Sequence, residues 1–280
     1  MSYLCRMKGK ILFITIIVTL WPLWLLGQDR KQTSKKGGVF LYWGYNRSGY
    51  TTSDIQFTGP GYDFTLNGVQ AHDRPTEITL ENYAKPANIT IPQYVYRFGY
   101  YLADRWSISV GMDHMKYVLS ANQSTSIIGF IDQPGNAFNE DYNGEEIALS
   151  SDFLQFEHTD GLNYASLGAD YYYPIYKTPQ GDLGVLVLAG AGFGLLIPKS
   201  NVTLMGGERN DEFHVAGWGL SLNLGAQLDF YRYFFFRTQL KGGYMSLQDI
   251  LTRPGSVPDR AHQSFGFGMW DFALGGQFFF

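Results

Sequence analysis

The sequence predicts an all-β fold, an eight-stranded antiparallel transmembrane β-barrel with long external loops, and three observations carry that reading. Long segments alternate large apolar with small or polar residues, the period of a strand with two different faces. These segments join in pairs through short turns on one side and long connections on the other. Past the first 27 residues, no stretch of about 18 apolar residues could cross a membrane as a helix, so a crossing there requires a closed sheet. The 20 Tyr, 21 Phe and 33 Gly among 280 residues suit such a wall, with aromatics outside and glycine where space is short.

The clearest strand is Trp218 to Phe230. Trp218, Leu220, Leu222, Leu224, Ala226, Leu228 and Phe230 share one face, while Gly219, Ser221, Asn223, Gly225, Gln227 and Asp229 share the other. Soluble strands usually run about 5 to 6 residues, whereas a membrane needs about 9 to 11. The first strand is predicted at Val39 to Asn46. The second, Thr90 to Leu102, reaches the third, Trp106 to Leu119, through Ala103, Asp104 and Arg105. The fourth and fifth, Leu162 to Tyr176 and Leu183 to Ile197, flank Thr178-Pro179-Gln180-Gly181-Asp182. The sixth meets the seventh, Phe234 to Met245, at Tyr231-Arg232-Tyr233, and the eighth is Ser264 to Phe280. Its residues Trp270, Phe272, Leu274, Phe278 and Phe280 are predicted to face lipid, with Asp271, Ala273, Gly275 and Gln277 facing inward. Eight strands satisfy the even count of bacterial barrels.

The long connections are residues 47–89, 120–161, 198–213 and 246–263, read as external because short turns face the periplasm. Within the first, Asp54 to Thr58 and Tyr62 to Val69 flank Gly59-Pro60-Gly61 and predict a hairpin above the membrane. Aromatics near strand ends, among them Trp43, Tyr100, Trp106 and Tyr171, predict interfacial girdles.

Arg6, Lys8 and Lys10 precede the apolar run Ile11 to Leu26, which Pro22 interrupts and Gly27 closes. That order predicts a secretory signal at residues 1–27, a mature start near Gln28, a short periplasmic segment at 28–37 and a barrel at 38–280. A retained anchor is the competing reading, but the run is short against the roughly 20 residues needed to span. Cys5, the one cysteine, would leave with the signal. The predicted location is the outer membrane of a Gram-negative bacterium, with both termini periplasmic. The signal carries three basic and no acidic residues, so its removal makes the chain more acidic than its formal charge of −4. Nucleic acid is thereby an unsuitable partner.

An eight-stranded barrel is only wide enough for its inward side chains to fill. Alternation assigns Arg97, Asp113, Asp170, Asp229, Arg237, Lys241 and Asp271 to the interior, with Ser166, Asn223, Gln227 and Gln239 between them. Unpaired charge there is costly, so these groups are expected to pair as a plug. The glycine-rich run Gly190 to Gly194 lies within a strand, away from the strand-to-helix turn of a nucleotide loop, and is read as making room in the lumen. No cofactor is expected.

Two clusters offer parts for chemistry. Asp113-His114-Met115-Lys116 ends the third strand, and Phe156-Glu157-His158-Thr159-Asp160 leads into the fourth. An ester hydrolase acting on lipid A or phospholipid acyl chains would use His114 or His158 as base, Asp113 or Asp160 to orient it, and Ser166 as nucleophile. The plainer reading is that both histidines close rim hydrogen-bond networks. Asn139-Glu140-Asp141-Tyr142-Asn143-Gly144 opens like a calcium loop, but Ser150 stands where a bidentate glutamate belongs, so no metal is assigned. In a bacterial barrel the sequons at Asn46, Asn88, Asn122 and Asn201 are chance.

Several segments resemble a family of outer-membrane β-barrel proteins from Bacteroidota, of the small eight-stranded, OmpA-like type. They include Tyr42 to Arg47, Tyr50 to Ile55, Tyr62 to Leu66, Asp73-Arg74-Pro75, Thr90 to Tyr94, Asp113 to Val118 and Phe156 to Tyr164. The resemblance covers most of residues 39–176 and implies location and fold, with no activity attached. The strand ending in Phe280 is similar to the assembly signal of bacterial outer-membrane barrels, which implies the barrel assembly machinery as a partner. His158-Thr159-Asp160-Gly161 is faintly similar to lipid A deacylases but lacks their serine two residues after the histidine. The leading expectation is a structural or binding role, with outer-membrane lipid around the wall. Loops 47–89 and 120–161 would meet an external glycan or protein through Tyr50, Phe57, Tyr62, Phe64 and Tyr83.

Overall fold

The computed structural model describes residues 34–280 except 86, 256 and 257. The predicted signal, and residues 28–33 of the predicted periplasmic segment, lie outside the described residues. In chain order the elements are β1 (Val39–Tyr50), β2 (Ser53–Gly59), β3 (Tyr62–Val69), β4 (Ala71–His72), α1 (Leu80–Ala84), β5 (Tyr94–Ala103), β6 (Trp106–Leu119), β7 (Ser124–Ile131) and β8 (Glu140–Ala148). There follow β9 (Leu154–Lys177), β10 (Leu183–Leu196), β11 (Lys199–Leu204), β12 (Asn210–Phe213), β13 (Gly217–Phe230), β14 (Phe234–Leu251) and β15 (Arg260–Phe278).

Eight of these strands pair in the order β1-β5-β6-β9-β10-β13-β14-β15, and β15 returns to β1 from Val39↔Phe278 to Tyr50↔Phe267. Every pairing is antiparallel, so the sheet is a closed ring of eight strands at the predicted places. Side-chain alternation splits it into two surfaces. Outward, all eight strands expose large apolar groups, including Leu41, Phe98, Ile108, Leu167, Phe193, Leu222, Leu240 and Leu274. Inward lie Arg97, Asp113, Asp170, Arg237, Lys241 and Asp271, all buried. The inward glycines of β10 do make room: a Cβ at Gly190 would collide with Asp170 and one at Gly194 with Ser166.

The long connections differ from open loops. Above the ring β15 runs on to pair Arg260–Gln263 with β2, and the sheet continues β2-β3-β7-β8. Across from it the upper part of β9 pairs with β11, β11 with β12, and β4 with the end of β6. Together they form a strand-built head over the long-connection end of the ring. Its core is aromatic: Phe57 stacks on Phe64 at 5.3 Å, Phe64 meets Phe153 at 5.9 Å, and Phe156 meets Phe57 edge-on at 6.1 Å. The predicted hairpin is present as β2 and β3. Phe57, Tyr62 and Phe64, expected as ligand contacts, instead fill this core. Tyr50 and Tyr83 are tied down too, Tyr50 donating to the Lys116 carbonyl and Tyr83 to the Thr76 carbonyl. The calcium-like segment Asn139 to Gly144 enters β8, where the extended backbone holds alternate side chains about 6.6 Å apart instead of curling them around one point, and the Asn139 side chain bonds the Gln133 backbone.

A bulge marks the join between ring and head. Between Met115↔Leu162 and Tyr117↔His158, β6 has one unpaired residue and β9 has Thr159, Asp160 and Gly161. Gly161 has φ +133°, and a Cβ there would meet His114 and Asn163, so only glycine fits this corner.

Candidate functional site: a filled interior and a basic outer rim

The interior charges pair in tiers. At the short-turn end Lys35 meets Asp229 at 2.6 Å, its ammonium also lying 5.3 Å from the Tyr101 ring. Next comes Arg237, fully buried, which pairs with Asp170 at 3.2 Å and donates to Gln227 and to the Tyr172 hydroxyl. The rings of Phe40, Tyr42, Tyr172 and Phe235 surround its guanidinium, Tyr42 at 4.8 Å. Such a planar, weakly hydrated cation suits an aromatic cage. Nearer the head Asp113 takes Arg97 at 2.8 Å and Lys241 at 2.6 Å, while Asp271 accepts from Gln239 at 2.9 Å. The void left among them is about 20 Å³, enough for roughly one water. Lys35 was not read from the sequence, because it lies before the first strand and outside any periodic segment.

A second polar cluster faces outward at the ring–head junction, where segments quoted above for their family resemblance converge. Asp73 accepts from the Ser48 backbone N–H and from Gln93. Arg47 Nη2 donates to the Tyr83 hydroxyl at 2.8 Å, and Tyr45 donates to the Tyr83 carbonyl at 2.7 Å. Lys116 donates to Thr76 at 2.9 Å, and Arg74 pairs with Glu157 at 3.1 Å. Burial pushes the Lys116 ammonium below its ordinary pKa, and the positive charge of Arg74 adds to the effect. Segment 73–93 is thus clamped against the outer wall of β1 and β6.

The predicted hydrolytic parts do not share one centre. Ser166 accepts from Arg97 at 3.2 Å in the sealed interior, beside the Asp113 ion pairs. His114 bonds Asn163 at 2.8 Å and stacks on Tyr94 at 4.7 Å. Asp160 turns out of the bulge to Lys199 at 2.9 Å, which holds its carboxyl below the usual range. His158 is fully buried beside Tyr117 and Phe156, with neither ring nitrogen hydrogen-bonded. Among the described residues neither histidine bonds Ser166 or a carboxylate.

Burial alone pushes His158 from 6.5 down to about 3. The unfolded chain therefore takes up this proton at higher pH than the folded one. Stability is complete above about pH 6.5 and falls as the pH drops toward 3, by roughly 1.4 kcal/mol per unit. Urea unfolding of the head at several pH values within that window should show this slope, and His158→Phe should flatten it. An unchanged slope in the variant would assign the acid sensitivity elsewhere.

No family model matches the chain and no curated protein matches it. Among solved structures it is similar to the outer membrane protein OprG from Pseudomonas aeruginosa, at 12% identity over 87% of this chain and 97% of that one, TM-score 0.40. It is also similar to the outer membrane protein AlkL, at 10% identity over 90% and 95%, TM-score 0.37. Ail, the attachment invasion locus protein of Yersinia pestis, matches at 12% identity over 87% and 99%, TM-score 0.33. At these scores the likeness carries no argument about this chain. By its own strand ladder it is an all-β antiparallel protein closed into an eight-stranded ring.

Proposed function

We propose that this chain is an outer-membrane β-barrel with a plugged interior that holds a rigid external head for binding a glycan or protein. The continuous outward belt of large apolar side chains on all eight ring strands carries the membrane assignment. A water-soluble surface does not expose apolar groups on that scale, and a closed sheet satisfies its backbone hydrogen bonds in lipid. The filled interior leaves the outside as the working surface.

Because the loop aromatics are committed to the head core, the binding face is the opposite side of the same strands. Registers place Arg260, Thr58, Asp63, Phe130 and Asp141 in one row, and His262, Gln56, Thr65, Ile128 and Asn143 in the next. Five strands spaced about 4.8 Å apart make this face roughly 19 Å wide. Phe130 and Ile128 are exposed on β7, the strand next to the β8 edge, among polar neighbours, a composition suited to ligand contact. At its margin the β8 edge carries Glu140, Asp141, Glu145 and Glu146, whose charges discourage strand-to-strand aggregation.

Cells displaying the chain should attach to polysaccharide-coated or protein-coated surfaces more than cells displaying the Ile128→Ser/Phe130→Ser variant. Equal attachment, with envelope integrity indifferent to the chain, would contradict the proposal.

A further inference from the structure

Three exposed glycines lie side by side on the outer wall, Gly49 on β1 opposite Gly268 on β15, and Gly268 opposite Gly242 on β14. Nothing inside the protein requires glycine there. A Cβ at Gly49 or Gly268 meets no atom within 4 Å, and one at Gly242 meets only the Phe267 carbonyl oxygen at 3.6 Å. By contrast the inward glycines Gly44 and Gly243 would drive a Cβ into neighbouring backbone. Nor do the three outer glycines have the positive φ that glycine favours. Their shared effect is on the outer surface, where they leave a bare floor about 10 Å across three strands.

That floor belongs to a depression of about 480 Å³ with Leu240 and Trp270 along its lower margin and Arg47 at one end. The size is within the range of small-molecule sites. Leu240 and Trp270 are exposed members of the outward apolar belt, which continues past Gly242 to Tyr244 and Leu220, so the depression is a gap near the upper edge of that belt. Arg47 supplies a polar end. Its guanidinium donates to two neutral oxygens, the Asn46 carbonyl and the Tyr83 hydroxyl, both at 2.8 Å, and makes no ion pair among the described residues. Lys116 adds positive charge nearby, and Asp73, held by Ser48 and Gln93, is the neighbouring acid.

We propose that this depression seats one phosphorylated lipid of the surrounding bilayer, its headgroup over the glycine floor with the phosphate against Arg47, and an acyl chain running down the wall past Trp270 and Leu240, which share Arg47's row. The inference rests on the ring spanning a membrane. An outward-facing site at that depth meets lipid before any other ligand, and a guanidinium with donors to spare binds phosphate oxygens in pairs. The indole of Trp270, whose N–H already donates to Thr238 at 2.8 Å, suits the boundary between chain and headgroup.

The test uses the full chain inserted in phosphatidylcholine vesicles carrying a small fraction of phosphatidylglycerol, extracted into mild detergent and weighed by native mass spectrometry. The expected result is one retained phosphatidylglycerol per chain, enriched at least tenfold over its share of the bilayer. Arg47→Ala should abolish the enrichment, and Gly268→Leu, which fills the floor without an internal clash, should abolish retention. Inorganic phosphate added in excess should not displace the lipid, because it lacks the chain. Equal retention by wild type and both variants, or displacement by phosphate alone, would overturn the seat. Failure of the chain to float with the vesicles would overturn the membrane assignment beneath it, and is scored separately before extraction.

Discussion

Replacing Asp113 with alanine is expected to destabilise the folded chain by about 3–5 kcal/mol, the usual loss when one partner of a buried ion pair is removed. Asp113 is fully buried and serves two cations, Arg97 at 2.8 Å and Lys241 at 2.6 Å, whose side chains are only 6% and 5% exposed. Both would lose the carboxylate they bond, leaving Asp271, which accepts from Gln239, as the remaining acid beside them. The loss should appear as a lowered urea midpoint, at unchanged slope, for the chain refolded in lipid vesicles and followed by tryptophan fluorescence. Replacing the whole group, Asp113→Leu/Arg97→Leu/Lys241→Met, should restore much of that stability, because apolar residues of similar volume often match a buried triad. A change below about 1 kcal/mol for Asp113→Ala would mean that water reaches these groups, and the lumen would then be open rather than filled.

Phe64→Ala should have an effect of similar size but in a different place. Phe64 lies between Phe57 on the neighbouring strand, Tyr62 on its own, and Phe153 across the head. Truncating a buried phenylalanine leaves a cavity and typically costs about 3–5 kcal/mol. The ring shares none of these contacts, so the loss should open the head while the ring stays paired. Limited proteolysis of vesicle-inserted protein should cut the variant within residues 53–69 and 124–148, where wild type resists, and leave a protected fragment spanning the ring strands. Resistance equal to wild type would contradict an aromatic core as the support of the head.

The ring was legible because two-faced strands of membrane length write an unmistakable period of two, as from Trp218 to Phe230. The pairing of inward charges was legible for the same reason. The head was less so, apart from the hairpin at Gly59-Pro60-Gly61. Strands β11 and β12 have six and four residues, too few to establish a period. In β8 the outward face is so acidic that Asn139 to Gly144 imitates the spacing of calcium ligands. The aromatics of β2 and β3 signalled importance without signalling direction: alternation says that Phe57 and Phe64 share a face, but only the return of β9 across the head makes that face a core. Lys35 escaped notice because its partner Asp229 lies 194 residues away. His114 and His158 drew attention as potential bases, yet their settings, an asparagine partner and a sealed aromatic site, depend on the register across the Gly161 bulge.

The most direct test of a filled barrel carrying an external head is current through planar bilayers containing the refolded chain. Ion pairs at every level of the interior predict no stable conductance steps, with at most brief flickers in the Asp113→Ala variant. Steady pores of nanosiemens size from the wild-type chain would contradict the filled interior and make transport, not external binding, the function to pursue.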